Sequence, residues 1–489
     1  MDEEKLSSPV SFIGECLGHL ADESVLRAYE AWWASEGWRL SEGVDRAGTP
    51  WLKMYDRFGR RVDEILYPPG YRVLLHQGYR AGIVGRVFEE QSLIPSYLLG
   101  YVTSFYDPGL YCPYVVSLAT AVALEKYGSE AVKARFLPAL LRRDDSVWQG
   151  ATWMTEVQGG SDLGAAVETR ARPEGDRWSL TGEKYFASNV GAELALVAAR
   201  PEGAPRNVRG LALFLVPRYR EDGRLNYMIR RLKDKIATRS VPTGEVEFSE
   251  SEAYLLGSRE WGIYLILEVL NLSRVANSIG SVALTQRVLA DAGSFARERV
   301  AFGRPIGEHP LLRRQFEERR ARLEEAFALA WEAVRLLEAV WKQTPPYGEA
   351  YPLFRLIAHL AKYWTAEVAV ETARWGIEVY GGIGALAEFG MERWLREALI
   401  LTIWEGTPHR QMLDGLEVME RRGAHRALFA HLRSLADSRE CDELEEMAAR
   451  VEDHLRLPPW EREAQVEGLF RDLARVTARI LRASRRSRG

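Results

Sequence analysis

Only three cysteines occur in the 489 residues, Cys16, Cys112 and Cys441, far apart and with no CxxC pair. That spacing excludes a zinc ribbon and a disulfide-stapled scaffold. The eight histidines never fall in HExxH or HxH spacing, so no metal-binding motif is present. Lysine is scarce as well, nine against 56 arginines, and in so arginine-rich a chain a lone Arg says little. No apolar run approaches the roughly 18 residues that span a bilayer. The acidic start MDEEKLSSPV lacks the basic-then-apolar order of a signal peptide, so a cytoplasmic protein with no membrane partner is expected. Charge of one sign is not in excess either: 65 basic and 69 acidic residues leave a formal net of −4, with no chain-wide attraction to nucleic acid. GxGxxG and Walker A sequences are absent, and Gly159-Gly160-Ser161-Asp162-Leu163 misses the GxSxG elbow at its last position.

What is present is an ordinary globular composition, 47% hydrophobic and 27% charged, long enough at roughly 150 residues per domain for about three domains. Residues 1–150 read as mostly helical, with segments such as 23–40 and 115–128 spaced at three and four residues and breakers at Pro68-Pro69, Gly109 and Pro113. Residues 151–257 change texture to short β-forming runs separated by Gly, Pro and Asp, as expected of antiparallel strands. Residues 258–421 return to long helical patterns over roughly 261–300, 310–343, 351–381 and 388–421, which suits a bundle. A helical segment, acidic and then Arg-rich, fills 422–489. The expected fold is mainly α with a central antiparallel β domain, an order that disfavours a doubly wound nucleotide-binding sheet.

Four clusters carry chemistry. Ile403-Trp404-Glu405-Gly406-Thr407-Pro408 places a carboxylate at a helix end in apolar surroundings, where burial raises its pKa toward that of a general base. A capped helix terminus with a partly exposed Glu accounts for the same letters. Thr152 to Asp162 combines hydroxyls, an aromatic and a Gly pair, fit for close approach to a phosphate or heterocycle edge, or simply for a turn. Tyr380-Gly381-Gly382-Ile383-Gly384 reads as a helix C-cap or a ligand contact. Arg297 to Pro305 closes a long helix with a basic turn that complements the dipole or holds a diphosphate.

In order and spacing these clusters resemble the flavin-dependent acyl-CoA dehydrogenases over roughly 51–421. The resemblance implies N-terminal helices, a β-barrel-like middle domain, a C-terminal four-helix bundle and FAD as cofactor. It implies that Thr155 to Asp162 and Phe186 to Asn189 line the flavin, and that the residue matching Arg299 reaches the FAD diphosphate of a neighbouring subunit. By the same resemblance Glu405 is the catalytic base. Thr152, Met154, Thr155, Ser161, Phe186, Ser188, Arg299, Phe302, Glu378, Gly381, Gly382, Thr407 and His409 then contact cofactor, and Ser161, Arg274 and Gly406 contact substrate. MTEVQGGSD, RLKDKIATRS at 231–240, IWEG, YDRFGRRVDE near 55–64 and the C-terminal extension are most similar to the AidB-like, alkylation-response branch. Pro310 and Glu378 stand where many members carry Gln, and Asn271 where an Asp often precedes the substrate-side Arg.

The activity so implied is oxidation of an acyl-CoA to the 2,3-enoyl-CoA by a homo-oligomer, expected as a tetramer, that passes electrons to an acceptor such as an electron-transfer flavoprotein. The alternative is a DNA-associated flavoprotein with residual dehydrogenase chemistry. For that reading Arg471, Arg475, Arg479, Arg482 and Arg486 form one helical stripe for duplex DNA, opposite Leu469, Leu473, Val476 and Ile480. A solvated face pairing with the acidic stretch 440–453 is the plainer explanation of the same stripe.

Overall fold

The structure, a computed structural model, describes residues 6–20 and 22–486. Apolar residues at helical spacing build α1 (Pro9–Leu17), α2 (Glu23–Trp32) and α3 (Trp38–Ala47), the last two joined by a π-helical turn at Trp33–Gly37. A side chain on Gly37 would collide with the Trp33 and Trp32 rings at 2.6 and 2.7 Å, so that turn requires glycine.

The mostly helical segment expected over 1–150 is interrupted by β1 (Trp51–Tyr55) and β2 (Arg61–Leu66), which pair antiparallel. Asp56 Oδ1 accepts from the Phe58 and Arg60 N–H groups and turns the chain between them. Period-two alternation over five residues was too short to register within a helical stretch. Helices α4 (Tyr71–Ala81), α5 (Gly85–Glu90), α6 (Ile94–Tyr106), α7 (Tyr111–Tyr127) and α8 (Glu130–Leu140) complete the domain. Nearly every residue of α6 and the first thirteen or so of α7 are buried, so these two are core helices.

In the middle domain β3 (Gly150–Trp153), β4 (Arg170–Glu174), β5 (Arg177–Ser188), β6 (Leu194–Pro201), β7 (Ala212–Pro217), β8 (Met228–Leu232) and β9 (Thr243–Leu256) form one sheet. Strands β4, β5, β9, β7 and β6 pair in a closed ring, with β3 and β8 appended, which is the barrel-like arrangement expected. Most pairings are antiparallel, as expected, and two, β3 with β6 and β4 with β6, are parallel. Parallel neighbours need a crossover connection, here the chain between β3 and β6, and strand patterning carries no signal for it. Inward-facing Ala151, Trp153, Val197, Phe214, Ile229 and Phe248 fill the barrel.

The bundle consists of α9 (Gly262–Glu298), α10 (Pro310–Val340), α11 (Ala350–Tyr380) and α12 (Met391–Ile403). Between α9 and α10 lies a tiny hairpin, β10 (Val300–Ala301) with β11 (Arg304–Pro305). Pro310 opens α10 at its first turn, where its missing N–H costs nothing. The helical pattern over 388–421 is interrupted: α12 stops at Ile403 and α13 (Pro408–Arg422) starts anew, capped by the Thr407 hydroxyl, with Glu405 in the gap.

Beyond it α14 (Ala424–Arg433), α15 (Ser438–Leu455), α16 (Pro459–Ala464) and α17 (Val466–Arg486) pack onto the bundle. Leu469, Leu473, Val476 and Ile480 are buried as expected, with Phe470 fully enclosed. The arginine stripe is not presented intact. Arg479 pairs with Glu443 of α15, and Arg482 reaches back to Glu324 at 2.7 Å, while Arg471 and Arg475 are exposed. The side chain of Arg486 lies outside the described residues. Among the described residues no helix is long and apolar enough to cross a membrane, and no group of three or more His, Cys, Asp and Glu could hold a metal ion.

Candidate active site

Glu405 sits in the break between α12 and α13 with φ 58°, a left-handed conformation that a side-chain-bearing residue seldom adopts, and Gly406 follows at φ 104°. Its carbonyl oxygen accepts from Gln411 Nε2 at 2.9 Å and Arg274 Nε at 3.2 Å. The Gly406 carbonyl accepts from Lys362 Nζ at 2.6 Å and Gln411 Nε2 at 3.1 Å. All of these bonds end on backbone. Among the described residues no hydrogen bond or ion pair engages the Glu405 carboxylate itself.

Burial raises the Glu405 pKa to about 7, and it prevails over the nearby charges of Arg274 and Lys362, which pull the other way. The corner is therefore less apolar than its flanking Ile403 and Trp404 suggested, yet the expected elevation holds because desolvation is the larger effect. Burial likewise lowers Lys362 to about 7 and keeps His359 neutral, its pKa down at about 3. Arg274 is buried, donates to Asn271 Oδ1 at 2.9 Å and approaches Asp414 at 3.4 Å. Asn271, where an Asp often stands, thus orients the guanidinium as a neutral acceptor.

A second group gathers on the β domain. Trp153 Nε1 donates to the Ser188 carbonyl at 2.9 Å and the Tyr185 N–H to the Thr155 carbonyl at 2.9 Å, which sets Thr152, Met154 and Thr155 beside Phe186 and Ser188. The Ser188 hydroxyl lies 3.3 Å from Thr243 Oγ1, which in turn accepts from Lys235 Nζ at 3.0 Å. Phe186 is half exposed, Ser161 lies in an exposed turn, and Gly160 has only the Thr155 methyl near the position of a Cβ. Short hydroxyl donors beside an open aromatic face suit the polar edge and flat ring of a flavin.

A third group lies far away. Arg299 and Phe302 occupy the hairpin after α9, Phe302 almost wholly exposed at φ 51°. Gly381 and Gly382 stand next to it, since Tyr380 stacks on Phe295 with ring centroids 4.2 Å apart, and both glycines have open space around them. Glu378 is engaged with Arg374 at 3.6 Å. Along α9 the rise of 1.5 Å per residue separates Arg274 from this end by about 36 Å. Within one chain, then, Thr407 and exposed His409 lie with Glu405, whereas Arg299, Phe302, Gly381 and Gly382 do not.

Sequence reasoning passed over Lys362, Gln411 and His359, which surround the Glu405 turn. Lys362 and His359 lie on a long helix whose pattern reads as core, and nothing in that helix marks either as a group that serves the turn. It also treated Glu156 as part of a flavin-lining stretch. Its carboxylate is in fact buried and occupied by Lys184 Nζ, Thr169 Oγ1 and the Glu168 N–H, each at 2.6 Å.

Comparison with known proteins follows the same three segments. The chain matches the acyl-CoA dehydrogenase C-terminal domain over 260–419, the acyl-CoA dehydrogenase middle domain over 151–251 and the adaptive response protein AidB N-terminal domain over 15–145. It is 30% identical to acyl-CoA dehydrogenase family member 11 of Caenorhabditis elegans, over 78% of this chain and 65% of that one. It is 29% identical to the putative acyl-CoA dehydrogenase AidB of Escherichia coli K12, over 76% and 70%. The chain thus spans about two thirds of the length of these curated relatives. The solved structure of Caenorhabditis elegans ACDH-11 in complex with C11-CoA superposes with a TM-score of 0.82 at 26% identity, covering 95% of this chain and 82% of that one.

Proposed function

The chain belongs to the acyl-CoA dehydrogenase family, and from that premise we propose that it oxidises an acyl-CoA thioester at its Cα–Cβ bond, with FAD as cofactor and Glu405 as the base. The observation that carries this reading is the state of Glu405. The Glu405–Gly406 backbone is pinned by three side chains while the Glu405 carboxylate is left unbonded with a pKa of about 7, as a group that must take and release a proton near neutrality requires.

In this reading Glu405 removes the α proton and becomes a neutral acid, a state its buried corner favours. FAD, when bound, supplies the acceptor for the hydride that leaves the β carbon. The Glu405 N–H polarises the thioester carbonyl as enolate-like charge develops. Arg274 fixes the turn by its carbonyl, and although its charge lowers the Glu405 pKa, burial outweighs it, so the base keeps its affinity for a proton. Thr152, Met154, Thr155, Ser161, Phe186 and Ser188 would hold the ring of the cofactor. An acyl-CoA as substrate is supported by the C11-CoA bound to the nematode neighbour.

Arg299, exposed and about 36 Å along α9 from Arg274, supports a homo-oligomer, a tetramer in this reading, in which one subunit's guanidinium meets the diphosphate of FAD held by another. An electron-transfer flavoprotein is the acceptor this reading assigns. The duplex-DNA alternative is not favoured, because Arg479 and Arg482 of its stripe are engaged within the chain.

The test is anaerobic titration of the holoprotein with a panel of acyl-CoAs, watching the flavin bleach. Glu405→Gln keeps the shape, cannot accept the proton, and is expected to retain colour while losing reduction. Reduction at an undiminished rate would remove Glu405 from this role.

A further inference from the structure

Two backbone carbonyls, of Glu405 and Gly406, collect four of the hydrogen bonds around the catalytic turn. Two of the donors trace back to one face of α11. Lys362 Nζ spans the helix break directly, donating to Thr402 O at 2.7 Å on one side and to Gly406 O at 2.6 Å on the other. His359, three residues earlier on the same face, lies with Nδ1 2.8 Å from Gln411 Oε1. The Gln411 amide nitrogen serves two carbonyls, so its oxygen must accept, and His359 must carry its proton on Nδ1. That bond fixes which way the amide points. Lys362, His359 and Gln411 are all at most 1% exposed. A Cβ at Gly406 would stand 2.7 Å from Gln411 Nε2, so glycine there is what admits the amide.

We propose that Lys362 and the His359–Gln411 pair are positioning residues for Glu405: they hold the Glu405–Gly406 turn in its left-handed conformation, and Lys362 in addition places a positive charge beside the carboxylate. The inference rests on the reading of Glu405 as the base. Left to itself, a Glu at φ 58° would relax toward a right-handed or extended conformation and carry its carboxylate away from the substrate. Donors on both carbonyls remove that freedom without touching the carboxylate.

The charged surroundings give the clamp a signature that packing alone would not. Arg274 of α9, Glu367 of α11 and Glu405 itself face Lys362, while Arg274 and Lys362 face Glu405, and Cys112 of α7 lies within reach of the Glu405 charge. Glu405 and Lys362 both titrate at about 7, so the acid limb of the pH profile belongs to the pair. Removing the Lys362 charge removes one of the two influences that hold the Glu405 pKa down. A permanent charge at the same place pulls it further down.

The experiment uses the holoprotein, following flavin reduction by a substrate acyl-CoA against pH, together with infrared titration of the Glu405 carboxyl. Lys362→Met is expected to slow reduction at pH 7 at least about tenfold and to move the acid limb up by about one pH unit, with KM changed far less. Lys362→Arg should retain most of the rate and move the limb down. Gln411→Met, which removes no charge, should slow reduction with the limb in place. If Lys362→Met fails to fold, the opposite behaviour of Lys362→Arg and Gln411→Met still decides the matter. Limbs that coincide with the parent in both Lys362 variants, or that move the same way, would overturn the proposal. Full reduction by Glu405→Gln would sink the base reading alone, because the infrared titration reports separately whether Lys362 sets the Glu405 pKa.

Discussion

Glu156 and Lys184 form an ion pair sealed inside the β domain, Oε1 to Nζ 2.6 Å, with the Lys side chain wholly buried and the Glu side chain 3% exposed. Burial lowers the Lys184 pKa even against that partner. The pair ties the loop after β3 to the middle of β5, and with it the strand ends that carry Thr155 and Ser188. Lys184→Met would leave a buried carboxylate uncompensated, and a loss of about 3–5 kcal/mol is expected. Urea denaturation of the two proteins measures it. A loss below about 1 kcal/mol would show that the loop is held by other contacts.

The acid limb of kcat/KM is expected near pH 7, with activity rising as pH rises, because the base must be ionised and burial has raised its pKa to about 7. A limb at the ordinary carboxylate value would mean that the free enzyme's corner is wet.

Stability should run the opposite way. Glu405 and Glu397 both have raised pKa values of about 7, so between about pH 4.5 and 7 the folded protein holds more protons than the unfolded chain, and stability falls as pH rises. The Glu397 Oε1 accepts from the Thr238 N–H at 2.8 Å while Oε2 is buried without a partner. Glu397→Gln is expected to raise stability by about 2 kcal/mol at pH 8 and by little at pH 5. Thermal melts at the two pH values check this, and equal shifts at both would contradict it.

Gly415 of α13 faces Phe470 of α17 so closely that a Cβ would lie 2.4 Å from the ring. Phe470→Ala should cost about 3–5 kcal/mol through the cavity it leaves. Gly415→Ala should destabilise the parent chain but less so in a Phe470→Leu background. A double-mutant cycle with no coupling between the sites would show that the appended helices pack loosely.

Arg299 is exposed and distant from Glu405, so Arg299→Ala should leave the melting of the flavin-free chain unchanged while weakening FAD retention and, with it, assembly. Light scattering with absorbance at 450 nm, a flavin wavelength, follows both. A flavin-replete monomer would contradict the shared site.

By itself the sequence determined the order of helical, β and helical segments, because periodicity and turn residues are local properties. It also marked Glu405, whose flanking Ile403, Trp404, Gly406 and Thr407 form a recognisable string, and the apolar seam of α17 at Leu469, Leu473, Val476 and Ile480. Tertiary structure alone decided the rest. The five-strand closure of the barrel and its two parallel pairings depend on contacts between segments far apart in the chain. So does the fate of Arg479 and Arg482, which a stripe of evenly spaced arginines offers to solvent and the folded chain gives to Glu443 and Glu324. Lys362 and His359 lie about 45 residues before the turn they hold, and nothing in their own helix marks them apart from its core. Only when α11 packs against the break between α12 and α13 do a buried ammonium and an amide held by a neutral imidazole meet two carbonyls, because hydrogen bonds have directions that spacing along a chain does not encode.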